Sequence, residues 1–133
     1  MLILELPLPN SMNSHWRHAK GRTYISAQGI AFRTAVGAIA SRYGAVAPKG
    51  RLSIGLEIFP RDRRVMDIDN RIKSLFDALQ HAKVFEDDSL IDEIKVVRRN
   101  IVKGGMCRVF ISEYIDRSAD MTLELTHGLK EPS

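Results

Sequence analysis

Leu52-Ser53-Ile54-Gly55-Leu56-Glu57-Ile58 alternates apolar residues with small or polar ones, without a break. Successive side chains point to opposite faces of a strand, so this segment is a half-buried strand with one apolar face. Pro60 marks its end. A covering element follows. Ile68, Ile72, Leu75, Phe76 and Leu79 recur at helical spacing and predict a helix from about Asp69 to Gln80 or His81. Leu2 to Leu6 reads as a first strand, stopped by Pro7 and Pro9. Ser26 is an N-cap candidate for a helix from Ala27 to about Ala40 or Tyr43, despite Gly29 and Gly37. Ile30, Val36, Ile39, Ala40 and Tyr43 supply most of its apolar face. Leu90 to Val102 reads as a third strand, and Lys103-Gly104-Gly105 as a tight turn into a fourth, Met106 to Glu113. The order β-α-β-α-β-β predicts an α+β fold, a single two-layer domain with a mixed β-sheet and two helices packed on it.

With 133 residues there is room for one core. The domain is expected over residues 1–115, followed by a tail, 116–133, in which Met121 to Leu125 could form a short extra strand. No apolar run approaches the roughly 20 residues that span a bilayer. Met1 to Leu6 has no basic segment and no cleavage pattern, so it reads as strand rather than signal peptide. The single cysteine, Cys107, excludes an internal disulfide and any cysteine-based zinc site. It suits a reducing cytoplasm and a buried structural thiol.

Net charge is +4, and its distribution says more than its total. From Leu6 to Leu56 there is no Asp or Glu, while Arg17, Lys20, Arg22, Arg33, Arg42, Lys49 and Arg51 are all present. The acids concentrate between Glu57 and Glu93. Such segregation points to a basic surface for a polyanion beside an acidic pocket, although a solvated basic surface would look the same.

Asp67-Ile68-Asp69-Asn70 heads the acidic region. Carboxylates at i and i+2 of extended chain project to one side. Lys73 follows Asp69 by four residues, one helical turn, and Asp87-Asp88 comes one element later. Carboxylates of like charge disfavour each other's ionisation unless a cation offsets them. Magnesium prefers such oxygen ligands, so Asp67, Asp69 and Asp88 are candidate metal ligands for phosphodiester hydrolysis. Helix capping would account for one aspartate there, and an exposed acidic turn for Asp87-Asp88. Lys73 could neutralise phosphate charge, or form a surface pair with Asp69 or Asp77. Arg61, Arg63 and Arg64 suit phosphate contacts. Residues 10–26 read as a long loop whose Asn13, His15, Trp16, Arg17, His18, Lys20 and Arg22 mix amide, aromatic and cationic groups, as a nucleic-acid surface does. Trp16 could stack on a base or pack under its loop. His15 and His18 lack a metal-ligand pattern and read as DNA contacts or surface residues.

From about Pro7 to Glu113 the ordered set resembles the RusA family of Holliday-junction resolvases. The matching pieces are Pro9, Asn13, Arg17, His18, Gly21-Arg22-Thr23 and Ser26; Asp67-Ile68-Asp69-Asn70 with Lys73; Phe76-Asp77-Ala78-Leu79; Asp87-Asp88; and the later hairpin at Lys103-Gly104-Gly105. The resemblance implies a cytoplasmic homodimer, bacterial or phage-derived, that uses magnesium to nick two opposing strands of a four-way DNA junction. It implies metal binding and catalysis by Asp67, Asp69 and Asp88, and an essential positive role for Lys73. It also implies DNA contacts from Asn13, Arg17, Arg63 and Arg64. Family members often carry basic residues up to the first aspartate, where this chain has Val65-Met66. A non-catalytic branched-DNA-binding protein with a structural acidic cluster is the alternative reading.

Overall fold

Strand β4, numbered with β1 (Leu2–Leu6), β2 (Trp16–Ala19) and β3 (Arg22–Ile25) before it, spans Leu52–Phe59. It lies inside a four-stranded sheet of order β1-β6-β4-β5, completed by β5 (Ile91–Arg98) and β6 (Met106–Glu113). The computed structural model describes residues 1–116. The strand proposed for Met121 to Leu125 lies outside the described residues. β6 pairs antiparallel with both β1 and β4, whereas β4 and β5 are parallel. Parallel neighbours need a crossover, and α3 (Ile72–His81) provides it.

The alternation in β4 is realised as expected: Leu52, Ile54, Leu56 and Ile58 are buried and the residues between them are not. Their face meets Leu4 and Leu6 of β1, Cys107, Val109 and Ile111 of β6, and the helices. Helix α2 (Ala27–Tyr43) contributes Phe32, Val36 and Ala40, and α3 contributes Leu75, Phe76, Ala78 and Leu79. This is the α+β two-layer domain with a mixed sheet that the pattern predicts. Among the described residues no helix is long and apolar enough to cross a membrane.

Four details differ from the sequence expectations. The inner face of α2 is set by Gly29, Phe32, Val36 and Ala40, leaving Ile30 and Tyr43 exposed. Residues 10–26 are not a plain loop. They form one helical turn, α1 (Met12–His15), and the β2–β3 hairpin. The two hairpin turn residues, Lys20 and Gly21, both have positive φ, 51° and 73°, which matches strand twist in a two-residue turn. The third strand is shorter than expected, because Leu90 belongs to a 3-10 turn and the chain leaves the sheet after Arg98. Finally, Lys103-Gly104-Gly105 does not join neighbouring strands. β4 lies between β5 and β6, and the connection crosses its end through Arg99 N–H to Ile58 O (2.8 Å) and Val102 N–H to Pro60 O (2.9 Å).

Candidate active site and nucleic-acid interface

The chain leaving β4 carries Asp67 and Asp69, and Asp69 opens a 3-10 turn, Asp69–Arg71, that runs into α3. Both aspartates are exposed. Neither side chain caps the helix: Ile68 and Arg71 occupy the cap positions without a side-chain hydrogen bond. Capping therefore does not explain the pair. Asp88 stands on the other connection, in the 3-10 turn Asp88–Leu90 that leads into β5. These two connections leave opposite ends of α3, a helix of 10 residues. Among the described residues no three His, Cys, Asp or Glu side chains converge on a possible metal position.

Lys73 partly bridges the gap. It sits in the first turn of α3, and its ammonium donates to Asp88 Oδ2 at 3.2 Å, not to Asp69 or Asp77. Gln80 Oε1 accepts the Asp88 amide at 3.2 Å, which fixes the acidic turn against the helix. Asp87 is engaged locally. Its carboxylate accepts the Ser89 amide at 2.9 Å, and that hydrogen bond holds it below the usual carboxylate range. Lys73, Asp77, Gln80, Asp87 and Asp88 line an open cleft of about 1370 Å³, walled on the far side by residues 46–50. A cleft of this size exceeds the roughly 300–1,000 Å³ of small-molecule pockets.

Asp77 has a separate task, and sequence reasoning missed it. Arg33 on α2 donates to both its oxygens, at 2.7 and 2.9 Å, and His15 Nε2 stands 3.0 Å from Oδ2. His15, expected as a surface residue or DNA contact, is fully buried. Its Nδ1 faces the Asn10 amide nitrogen at 3.1 Å, so Nε2–H donates to Asp77 and Nδ1 accepts. Gly29 makes room: a Cβ there would stand 2.9 Å from His15 O and 3.0 Å from its Nδ1. Burial pushes the Asp77 carboxyl up, but Arg33 and then His15 outweigh it and hold it below its usual value. A spacing of 62 residues left no local signal for this contact.

The lock seats the β2–β3 hairpin beside α3. In its register Arg17 faces Tyr24 and Ala19 faces Arg22, so Arg17, Tyr24 and Arg22 share one exposed face. Lys20 is exposed at the tip. His18 lies on the opposite face, with Nδ1 2.9 Å from Thr23 Oγ1. Asn13 is exposed on α1. Trp16 is half-buried, edge-on to His15 at 5.2 Å and with the Arg33 guanidinium 5.9 Å from its ring centroid, while still lining the cleft. Arg63 is exposed, whereas Arg64 forks onto Asp62 at 2.8 and 3.1 Å.

The family model of endodeoxyribonuclease RusA matches residues 7–112. The crossover junction endodeoxyribonuclease RusA of Escherichia coli strain K12 is 37% identical over 114 residues, covering 83% of this chain and 92% of that protein. The chain belongs to the RusA family. The RusA protein of Enterobacteria phage 82 is 38% identical over 113 residues, and that of Shigella sonnei strain Ss046 is 38% identical over 114, each with 83% of this chain covered. The RusA match takes in every candidate site residue from Asn13 to Asp88, together with both long helices and three of the four strands of the sheet; β1 precedes it.

Proposed function

We propose that this chain is a crossover-junction endodeoxyribonuclease, a homodimer that nicks two opposing strands of a four-way DNA junction by magnesium-dependent hydrolysis, in DNA recombination and repair. One observation carries the reading. Asp67 and Asp69 are exposed carboxylates with no hydrogen bond or ion pair among the described residues, one helical turn before a lysine that holds a third acid, Asp88. The donor chemistry suits a hard cation. All three groups offer oxygen, remain accessible to water, and magnesium needs only one or two of them.

Asp67, Asp69 and Asp88 would hold the ion, which when bound supplies an activated water and stabilises charge at phosphorus. The chain's own groups do the rest. Lys73 keeps a positive charge at the mouth of the cleft, where it can neutralise a phosphate oxygen. Gln80 and the Asp87 turn fix Asp88 in place. The exposed face of Arg17, Tyr24 and Arg22, with Asn13, His18, Lys20, Arg63 and Arg64, offers cations to backbone phosphates and an aromatic ring to a base.

Two arguments support the homodimer. A two-fold junction has two equivalent scissile phosphates, and a closed dimer presents two equivalent sites. That no three acids converge among the described residues of one chain also suits a site completed by acids from a second copy.

The test is nicking of a synthetic mobile four-way junction with and without magnesium, for the wild type and Asp69→Asn. Paired symmetric nicks that vanish in the variant while junction binding persists are expected. Tight binding without cleavage in any divalent metal would make the protein a branched-DNA-binding module instead.

A further inference from the structure

The stretch between β4 and α3 encloses a second feature, away from the cleft that holds Lys73 and Asp88. Pro60, Met66, Arg61, Asp62, Arg64 and Arg71 line a small cavity of about 170 Å³. Its charge is unbalanced. Asp62 is already engaged by the Arg64 fork. Arg61 makes no hydrogen bond among the described residues, and Arg71 has no carboxylate partner there. Arg71 is half-buried. Its Nη1 donates to Pro9 O at 2.6 Å, and its Nε is buried with no hydrogen-bond partner among the described residues.

A buried donor without an acceptor is costly, and more so on a cation, so it demands a missing partner. An anion would supply the missing acceptor and offset the adjacent Arg61 charge. The cavity is smaller than the roughly 300 Å³ at which small-molecule sites begin, which limits the ligand to something the size of one tetrahedral oxyanion. Planar guanidinium forks match phosphate oxygens. The pocket also flanks the candidate acids, because Met66 adjoins Asp67 and Arg71 follows Asp69 by two residues.

We propose that Arg71 and Arg61 form a phosphate subsite that seats one backbone phosphate of the DNA beside Asp67 and Asp69, next to the phosphate that is cut. The assignment of the phosphate to DNA rests on the endonuclease reading above. The subsite fixes the register of the strand, and Arg71 is its buried half.

Junction affinity measured across a series of salt concentrations, without divalent metal, tests it. Loss of one phosphate contact lowers the slope of log affinity against log salt by about 0.9. Arg71→Gln and Arg61→Gln are each expected to show that decrement, and to weaken binding by about tenfold, the weight of one charged hydrogen bond. One uncharged methylphosphonate near the nick should weaken the wild type by the same factor and cost Arg71→Gln nothing further. Arg71 also holds Pro9, so thermal unfolding of its variant is measured alongside; should it unfold, Arg61→Gln carries the test. Unchanged slopes in Arg61→Gln and in a folded Arg71→Gln would overturn the subsite.

A second arm separates the pocket from the function. Titration with inorganic phosphate should shift the Arg71 Nε–Hε resonance in the wild type, and Arg61→Gln should weaken that response. A phosphate response in a protein that binds no junction would keep the pocket, assign it to free phosphate, and sink the endonuclease reading. A protein that cuts junctions while Arg71 ignores phosphate and the slopes hold would sink the pocket alone.

Discussion

Asp77 illustrates how a residue changes meaning between sequence and structure. In sequence it is a possible partner for Lys73; in the fold it joins α1, α2 and α3 through His15 and Arg33. Its side chain is 23% exposed, so solvent screens part of the interaction. Asp77→Asn is expected to destabilise by about 1–3 kcal/mol in urea denaturation at neutral pH, because Arg33 and His15 lose a charged acceptor. The loss should shrink in acid. The folded Asp77 carboxyl titrates below its unfolded value of about 3.9. Protons therefore bind the unfolded chain first as pH falls. The stabilisation is complete above the unfolded value and disappears as pH drops through the folded one. Wild type and Asp77→Asn should accordingly begin to converge in stability only as pH falls below about 4, and a constant gap down to strong acid would contradict the assigned role. Cys107 behaves as the sequence suggested. It is buried, its thiol donates weakly to Pro7 O at 3.6 Å, and burial pushes its pKa up to about 12. A thiol reagent should leave it untouched in the native protein and modify it at once in denaturant. At the candidate site, Lys73→Met should lower the nicking rate by about 10²–10³-fold, the usual loss for one charge-stabilising group. Junction affinity should fall far less than the nicking rate, by about tenfold at most, the weight of a single phosphate contact. A variant that nicks at the wild-type rate would return Lys73 to the role of a surface ion pair.

The elements were legible where their signal is local and hidden where it is not. β4 and the α3 stripe follow from period two and period 3.6, and both formed as read. Ser26 caps α2 as expected, its hydroxyl accepting the Gly29 amide at 3.0 Å. The β2–β3 hairpin escaped because Lys20-Gly21 lacks the Asn or Asp that usually marks a turn with positive φ. The strand order escaped because a parallel pair is set by the crossover packing of α3, not by the turn at Gly104-Gly105. The face of α2 shifted because it meets His15 of α1 and Ile25 of β3 at Gly29, where a Cβ would collide with both. This last point separates two glycines that the sequence cannot tell apart. A Cβ at Gly29 would stand 2.6 Å from Ile25 Cγ1 and 2.9 Å from the His15 carbonyl, and that backbone oxygen cannot swing away. Gly29→Ala should cost about 1–3 kcal/mol, as overpacking does. Gly37, in the same helix, has open space at the Cβ position. Gly37→Ala should stabilise by roughly 0.4–1 kcal/mol by raising helix propensity and restricting the unfolded chain. Thermal melts of the two variants should move in opposite directions; a shift of the same sign would mean that α2 does not approach α1 this closely.

At the scale of the molecule, charge is sorted by region. The hairpin and α2 carry cations without acids, while the acids gather around α3 and the connections at its two ends. Such a layout would attract a polyanion to the hairpin and α2 as a whole. The same layout bears on how many chains make a site. Sequence order suggested that Asp67, Asp69 and Asp88 converge, because Asp88 follows within one element. Among the described residues no three acids converge, although Lys73, in the first turn of α3, holds the Asp88 carboxylate toward the end of the helix that carries Asp69. If a dimer unites the Asp67–Asp69 pair of one chain with Asp88 of its partner, subunit mixing has an unusual consequence. Asp69→Asn and Asp88→Asn homodimers should both be inactive. In the mixed dimer one site would receive both substitutions and the other neither, so one intact site should return. The expected product is a junction nicked on one strand, not the symmetric pair left by the wild type, at up to half the wild-type rate of first nicking per dimer. Co-expression with two affinity tags isolates that mixed dimer, and a denaturing gel counts the nicks. A mixed dimer as inactive as its parents would place all three acids of each site within one chain.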